Sequence, residues 1–224
     1  MSNYVPELFR FLEELRLNNC KPWLDANRER YERLRALWLE DFDRLLRAVA
    51  LWEQAAGNST AREALYRFYR DIRFSTDKSP YKLFFSGALG PYGKKSEMAG
   101  YYVHLGLPAM YESGLYGGLY CPDSATLRKI RRAIVDNIEE FEMIVGNPHL
   151  AAAFPGWCGE RLKTVPKGWD KDHPHAELLR LKEYGKYMPC DAGWFSDPDW
   201  PLRAADAFHL LKPLVDFLNY SILE

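Results

Sequence analysis

The densest group of charged and aromatic side chains in the sequence lies between residues 67 and 82. Arginines recur there at every third position, accompanied by aspartates, lysines and tyrosines: Arg67, Arg70, Arg73, Asp71, Asp77, Lys78, Lys82, Tyr69 and Tyr81. A guanidinium is a rigid fork of N–H donors that matches the oxygens of carboxylates and phosphates. We therefore predict an anion-binding site whose ligand contacts Arg67, Arg70, Arg73 and Lys78.

Two geometries are open for this segment. If it is extended, Arg67 and Arg73 project to one face and Arg70 to the other, among apolar neighbours; if it is helical, all three arginines share a face. A partly buried guanidinium needs an anionic partner in either geometry, because an unpaired buried charge is costly. Asp71 and Asp77 could be these partners, which would make the cluster a structural network of ion pairs. In the functional alternative both carboxylates orient the cations or transfer protons, so both are candidate catalytic residues.

A second candidate segment covers residues 162–174, where lysines and a glycine precede an expected helix. The N-terminus of a helix attracts anions, so we expect Lys167 to close the anion site. Histidine is the usual acid or base near neutral pH, and His173 is therefore a third candidate catalytic residue. The alternative is that Asp172 or His173 caps the helix, with Pro174 in its first turn.

Glycines and tyrosines dominate residues 98–122, where Glu112 is the only charged residue. A membrane helix would be rich in leucine and isoleucine, so this composition predicts β-structure instead. Glycine inside a strand often marks a bulge or a close approach by ligand or backbone. We expect Tyr120, at the end of this region, to form the wall of the anion pocket together with Tyr81.

The sequence predicts no cofactor and no metal. The sequence of residues 88–95 nearly matches the pattern of a phosphate-binding loop, but it has Lys95 at the position where Ser or Thr would bind magnesium. We therefore interpret these residues as a hairpin connection. Dinucleotide, nucleophile-elbow and zinc-protease motifs do not occur. The cysteines are far apart and lack zinc spacing, which predicts free, mostly buried thiols in a reducing cytoplasm: Cys20, Cys121, Cys158 and Cys190.

Composition and charge are those of an ordinary globular chain. The 224 residues are 47% apolar and 15% aromatic, which excludes a disordered chain and a coiled coil. Lys and Arg total 30 against 31 Asp and Glu, which gives a formal charge of −1. This balance disfavours binding to nucleic acid or to an anionic membrane that is driven by the net charge of the protein. The first residues do not resemble a signal peptide, so a cytoplasmic protein is expected, without a membrane partner.

Apolar periodicity places the elements along the chain. It predicts helices from Pro6 to Leu15, from Pro22 to about Trp52, over 61–65, from 124 to 145, over 172–182 and from about 200 onward, strands at 82–89, 101–107 and 111–120, and a short strand at 161–165. Consecutive strands with short links favour an antiparallel meander. We predict one α+β domain over residues 1–224, with a central antiparallel sheet flanked by N-terminal and C-terminal helices.

These residues carry a resemblance to a known family. The run Arg67-x-x-Arg70-Asp71-x-Arg73-Phe74-x-x-Asp77-Lys78-x-x-Tyr81 resembles the signature of the bacterial domain-of-unknown-function 2461 family. Similar blocks follow in order over nearly the whole chain, among them 117–122, 162–179 and 213–218. The second helix reads Leu37-Trp38-Leu39 where relatives often have a proline. The resemblance implies a soluble bacterial protein of one domain and implies no reaction.

Three functional hypotheses follow. The leading one is a pocket that recognises a small phosphorylated or carboxylated molecule, with or without catalysis. The alternative is a non-enzymatic binding or regulatory module in which the arginine–aspartate cluster is structural. The third is nucleic-acid binding through a local basic face with aromatic stacking, which the net charge disfavours. Whether the chain is an enzyme, and its oligomeric state, stay open at this level.

Overall fold

The computed structural model describes residues 3–94, 96–107 and 112–224. Its four strands form one antiparallel sheet in chain order: β1 Phe84–Leu89, β2 Gly100–Gly106, β3 Gly114–Leu119 and β4 Tyr184–Pro189. The helices are α1 Val5–Leu17, α2 Lys21–Ala26, α3 Arg28–Ala50, α4 Ala61–Ala64, α5 Ser124–Asp136, α6 Ile138–Val145, α7 Pro148–Ala153, α8 Ala176–Leu179, α9 Ala192–Ser196 and α10 Trp200–Leu223. The predicted α+β class with an antiparallel sheet is confirmed.

Residue contacts divide the chain into two compact units. The first takes its described residues from 1–94, 102–115 and 189–206, and the second takes them from 95–101, 116–188 and 207–224. The division therefore falls within three of the strands and within α10. The single domain over 1–224 stays a prediction.

Aromatic rings fill the core of the first unit. Buried residues recur at three- and four-residue spacing along α3, which turns one apolar stripe of that helix inward. Trp38 stacks on Trp200 with ring centroids 5.3 Å apart. Phe68 packs against Tyr31 at 4.8 Å and against Phe85 at 5.5 Å. Phe68 thereby attaches the segment that carries the arginine cluster to the core.

The second unit has its own aromatic cluster. Phe141 lies between Trp157, stacked at 5.9 Å, and Phe217 at 5.2 Å. Arg131 is buried and donates from a guanidinium nitrogen to the carbonyl of Leu181 at 2.8 Å. That bond ties α5 to the segment leading into β4.

Two of the predicted helices are each split by an asparagine. The helix expected from Pro22 to Trp52 ends at Asn27 and begins again as α3, and the helix expected over 124–145 is split at Asn137. Each asparagine donates its side-chain amide to the carbonyl four residues earlier, at 3.0 Å to Trp23 and 3.1 Å to Ala133. The amide side chain competes with the helical backbone and favours a turn.

Other predictions differ more strongly from the structure. The strand at 161–165 is a single bridge between Arg161 and Leu181, and the helix over 172–182 is reduced to α8. Strand β4 and the short helices α7 and α9 were not predicted, because none of them shows a repeating apolar pattern. The strands β1 to β3 lie within three residues of their predicted bounds. Tyr111, the 108–109 connection and Lys95 lie outside the described residues.

The cysteines are free, as predicted, but "mostly buried" is wrong, since only Cys190 is buried, Cys158 is half-buried, and Cys20 and Cys121 are exposed. Among the described residues no helix is both long and apolar enough to cross a membrane. The same residues contain no group of three or more His, Cys, Asp or Glu side chains placed to hold a metal ion.

Candidate functional site

The arginine cluster lies on an irregular hairpin between α4 and β1, within the first unit. Its arms pair through the Tyr69–Tyr81 bridge. The Arg70 N–H donates to the Pro80 carbonyl, and the Lys82 N–H donates to the Phe68 carbonyl, both at 2.9 Å. The extended geometry is therefore the right alternative for this stretch, and the helical one is wrong.

Tyr81 fixes the second arm of the hairpin. Its ring is buried and stacks on Phe68 at 5.7 Å. The Asn19 side chain clamps its backbone, donating to the Tyr81 carbonyl at 3.0 Å and accepting from the Tyr81 N–H at 3.1 Å. The backbone next to Lys82 is thus held by two hydrogen bonds from a side chain distant in sequence.

Arg70 closes the tip of the hairpin. Its guanidinium bonds the Asp77 carboxylate, the Ser79 carbonyl at 3.2 Å and the Ser75 hydroxyl at 3.4 Å. Asp77 also accepts from the Ser79 hydroxyl at 2.6 Å and from the Ser79 N–H at 2.9 Å. These two donors, followed by Arg70, lower the pKa of Asp77 to about 2. Asp77 is therefore ionised at neutral pH.

Asp71 pairs with Arg73 instead. The Arg73 guanidinium donates to both carboxylate oxygens, at 3.0 and 2.7 Å, and its side chain is the main cause that lowers the pKa of Asp71. The pair is local and solvated, because the Arg73 side chain is 77% exposed. Both candidate aspartates thus already accept bonds from protein donors, as the structural alternative requires. Their catalytic role stays a prediction.

A groove of about 340 Å³ opens beside the hairpin, within the first unit. It is lined by Arg16, Asn19, Arg70, Asp71, Asp77, Ser79, Tyr81, Lys82, Leu83 and Phe84. Four of the predicted site residues therefore share one cavity: Arg70, Asp71, Asp77 and Tyr81. The exposed Arg67, Arg73 and Lys78 are not among its lining residues, and the Lys78 ammonium donates to the Ile72 carbonyl at 3.0 Å.

Lys82 is one of the groove residues that were not predicted as part of the site. Its half-buried ammonium lies 5.4 Å from the Tyr66 ring and 5.3 Å from the Phe84 ring. Burial lowers its pKa, and the positive charges of Arg67 and Lys94 lower it further, with no acidic side chain of the described residues among the causes. A signal was available, since Lys82 directly precedes the apolar run that begins β1.

The sheet surface next to Lys82 adds a neutral histidine. The His104 ring lies 4.4 Å from Phe84, and its Nδ1 is 2.9 Å from the Tyr102 hydroxyl. Burial, and then the charge of Lys82, lower the pKa of His104 to about 4. The imidazole is neutral at physiological pH and brings no charge to this face.

The remaining predicted site residues belong to the second unit. Tyr120 is exposed, and its ring meets Tyr116 edge-on at 6.1 Å. Lys167 is exposed in a turn. The Nδ1 of His173 accepts the His175 N–H at 3.1 Å, a local contact just before α8. Helix α8 begins at Ala176 and has four residues, so the longer helix expected from residue 172 is wrong. The roles of Lys167 and His173 in the site stay predictions.

Comparisons with known proteins identify a family and nothing narrower. A family model described as "Conserved hypothetical protein (DUF2461)" matches residues 7–217, nearly the full length. No curated protein and no solved structure matches the chain. The family resemblance predicted from the sequence is confirmed by this match, which brings no reaction or ligand with it.

Proposed function

The chain belongs to the DUF2461 family of conserved hypothetical proteins, and from that premise we propose that the groove beside the hairpin binds a small molecule carrying a phosphate or a carboxylate. Lys82 carries the proposal. Its ammonium is half-buried in the groove lining, and among the described residues no acidic side chain contributes to the shift of its pKa. Partial desolvation of a cation costs free energy unless an anion lies beside it, so a bound anion stabilises the site.

Arg70 supplies another cationic group of the groove, whose third, Arg16, pairs with Glu13. The two terminal nitrogens of Arg70 bond the hairpin tip, while its Nε makes no hydrogen bond within the described residues. A guanidinium pinned in this way loses little conformational freedom when it takes an additional acceptor. Lys82 and Arg70 together suit one compact anionic group better than an extended polyanion, because Asp71 and Asp77 line the same groove.

The proposal predicts that Lys82→Met loses anion binding. The thioether keeps the aliphatic volume and removes the charge, so we expect at least about tenfold weaker binding, or ~1.4 kcal/mol. The measurement is a thermal-shift screen with inorganic phosphate, phosphorylated small molecules and small carboxylates. A ligand at about 100 times its Kd should stabilise the wild type by ~2.7 kcal/mol.

Lys163→Met is the matched control, since it removes the same charge from an exposed lysine of the second unit. It should respond to every ligand as the wild type does. The proposal is overturned if no compound on the panel stabilises the wild type, or if Lys82→Met responds as strongly as Lys163→Met.

The second candidate, a non-enzymatic module with a structural ion network, is favoured by the three hydrogen bonds of Arg70. Arg70 holds together the segment from Ser75 to Ser79, whereas the exposed Arg73 pairs with Asp71, two residues away. In this candidate the network depends on Arg70 and not on Arg73. Nucleic-acid binding stays the third prediction, still disfavoured by a net charge of −1.

A further inference from the structure

Two ammonium groups and two aromatic rings lie together at Lys82, which with Phe84 is part of the groove lining. Lys82 lies over both Tyr66 and Phe84, and the Lys94 ammonium lies 5.3 Å from the same Tyr66 ring. Lys94 also donates to the Leu65 carbonyl, which fixes its position. Positive charges are thus held near each other around one ring.

This setting changes the chemistry available to Lys82. The apolar rings remove water from the ammonium, and Arg67 and Lys94 repel its positive charge, so the pKa of Lys82 is lowered. A larger fraction of this lysine is neutral at pH 7 than of an exposed one. A desolvated lysine next to other cations is the recognised way in which proteins make a nucleophilic amine.

We infer that Lys82 is a carbonyl-reactive amine, which forms an imine with an aldehyde or ketone that also carries the anionic group bound in the groove. The inference rests on the proposed anion site: Arg70 would hold the anionic group once the carbonyl of the same molecule reacts, which leaves the Lys82 Nζ to attack the carbonyl carbon. Tyr66 and Phe84, which flank the ammonium, offer apolar surface for the carbon skeleton of such a molecule.

The reaction needs no oxidant or reductant. The ammonium gives one proton to solvent, and the nitrogen lone pair attacks the carbonyl carbon to form a C–N bond. The carbonyl π electrons move to oxygen, which takes up a proton. The nitrogen of this carbinolamine then loses a proton, and the hydroxyl group takes up a second proton from solvent. The nitrogen lone pair expels this group as water and forms the C=N bond of the protonated imine. Neutral His104 adds no charge that would oppose a protonated imine.

The test uses pyridoxal 5′-phosphate, which carries an aldehyde and a phosphate on one ring. The full-length protein is incubated with it, the imine is reduced with borohydride, and labelled lysines are identified by peptide mass spectrometry. We expect Lys82 to be labelled at least about tenfold faster than exposed Lys163, because a bound phosphate raises the local concentration of the aldehyde. Pyridoxine 5′-phosphate, which has the phosphate and no aldehyde, should slow this labelling.

Control variants test the role of Lys82 in imine formation, and a binding measurement separates this inference from the proposed anion site. Lys94→Arg keeps the neighbouring charge and should leave Lys82 labelling in place, whereas Lys82→Arg should abolish the fast phase. Labelling of Lys82 no faster than of Lys163, or fast labelling that pyridoxine 5′-phosphate does not slow, overturns the inference. Direct binding of pyridoxine 5′-phosphate, measured by calorimetry, reports on the anion site alone, so that the imine can fail while the proposed function stands.

Discussion

Replacement of Gly118 by alanine is expected to destabilise the protein by about 3 kcal/mol or more. Gly118 has a φ of +132°, a conformation that side chains rarely adopt, and a Cβ there would lie 2.2 Å from the Tyr184 carbonyl oxygen and 2.7 Å from the Gly185 Cα. Both atoms belong to the backbone of β4, which is paired with β3. No flexible side chain can move away, so a strand must shift.

Gly156→Ala is the matched control. Gly156 also has positive φ, +72°, but a Cβ there would meet nothing within 4 Å. The control therefore isolates the left-handed backbone cost of about 1–2 kcal/mol. Urea unfolding followed by tryptophan fluorescence measures both variants. Equal losses of unfolding free energy would contradict the close approach of β3 and β4 at this glycine.

Arg70→Ala is expected to open the hairpin tip. The Arg70 side chain is 26% exposed and is the common partner of Asp77, the Ser79 carbonyl and the Ser75 hydroxyl. Its loss leaves the Ser79 carbonyl without this donor and Asp77 without its cation. We expect amide hydrogen exchange within residues 75–80 to accelerate by about tenfold or more, while the core strands keep their protection.

Arg73→Ala removes a guanidinium three residues further along the chain. Its solvated pair with Asp71 joins residues two positions apart, and Arg73 is not among the residues that line the groove. Melting temperature and exchange in the hairpin should match the wild type. If Arg73→Ala opened the hairpin as strongly as Arg70→Ala, the assignment of the structural role to Arg70 would be wrong.

Local patterns predicted much of the sheet. The residues of β2 alternate in burial as a strand requires: Tyr101, Val103 and Leu105 are buried, while Tyr102 and His104 between them are half-buried. Strand β4 was not predicted because Gly, Lys and Met interrupt any alternation of apolar residues. Its position in the sheet depends on pairing with β3. The breaks in the helices at Asn27 and Asn137 each depend on one side-chain amide hydrogen bond, which a pattern of apolar residues does not reveal.

The site was predictable as a region and not as a set of residues. Charge density identified the hairpin, but it gave equal weight to Arg73, which is solvated, and to Arg70, which closes the tip. Lys82 differs from the exposed cations because it is half-buried. That burial depends on Tyr66, which precedes Lys82 in the sequence, and on Phe84, which follows it. Spacing alone carries no information on that packing.

If an anion binds in the groove at Lys82 and Arg70, a phosphate titration followed by ¹⁵N–¹H NMR will detect it residue by residue. We expect saturable shifts that are largest at the amides of Arg70 and of residues 81–83 and that vanish in Lys82→Met but persist in Lys163→Met. Shifts that do not saturate, or that are largest at residues outside the groove and equal in both variants, would contradict it.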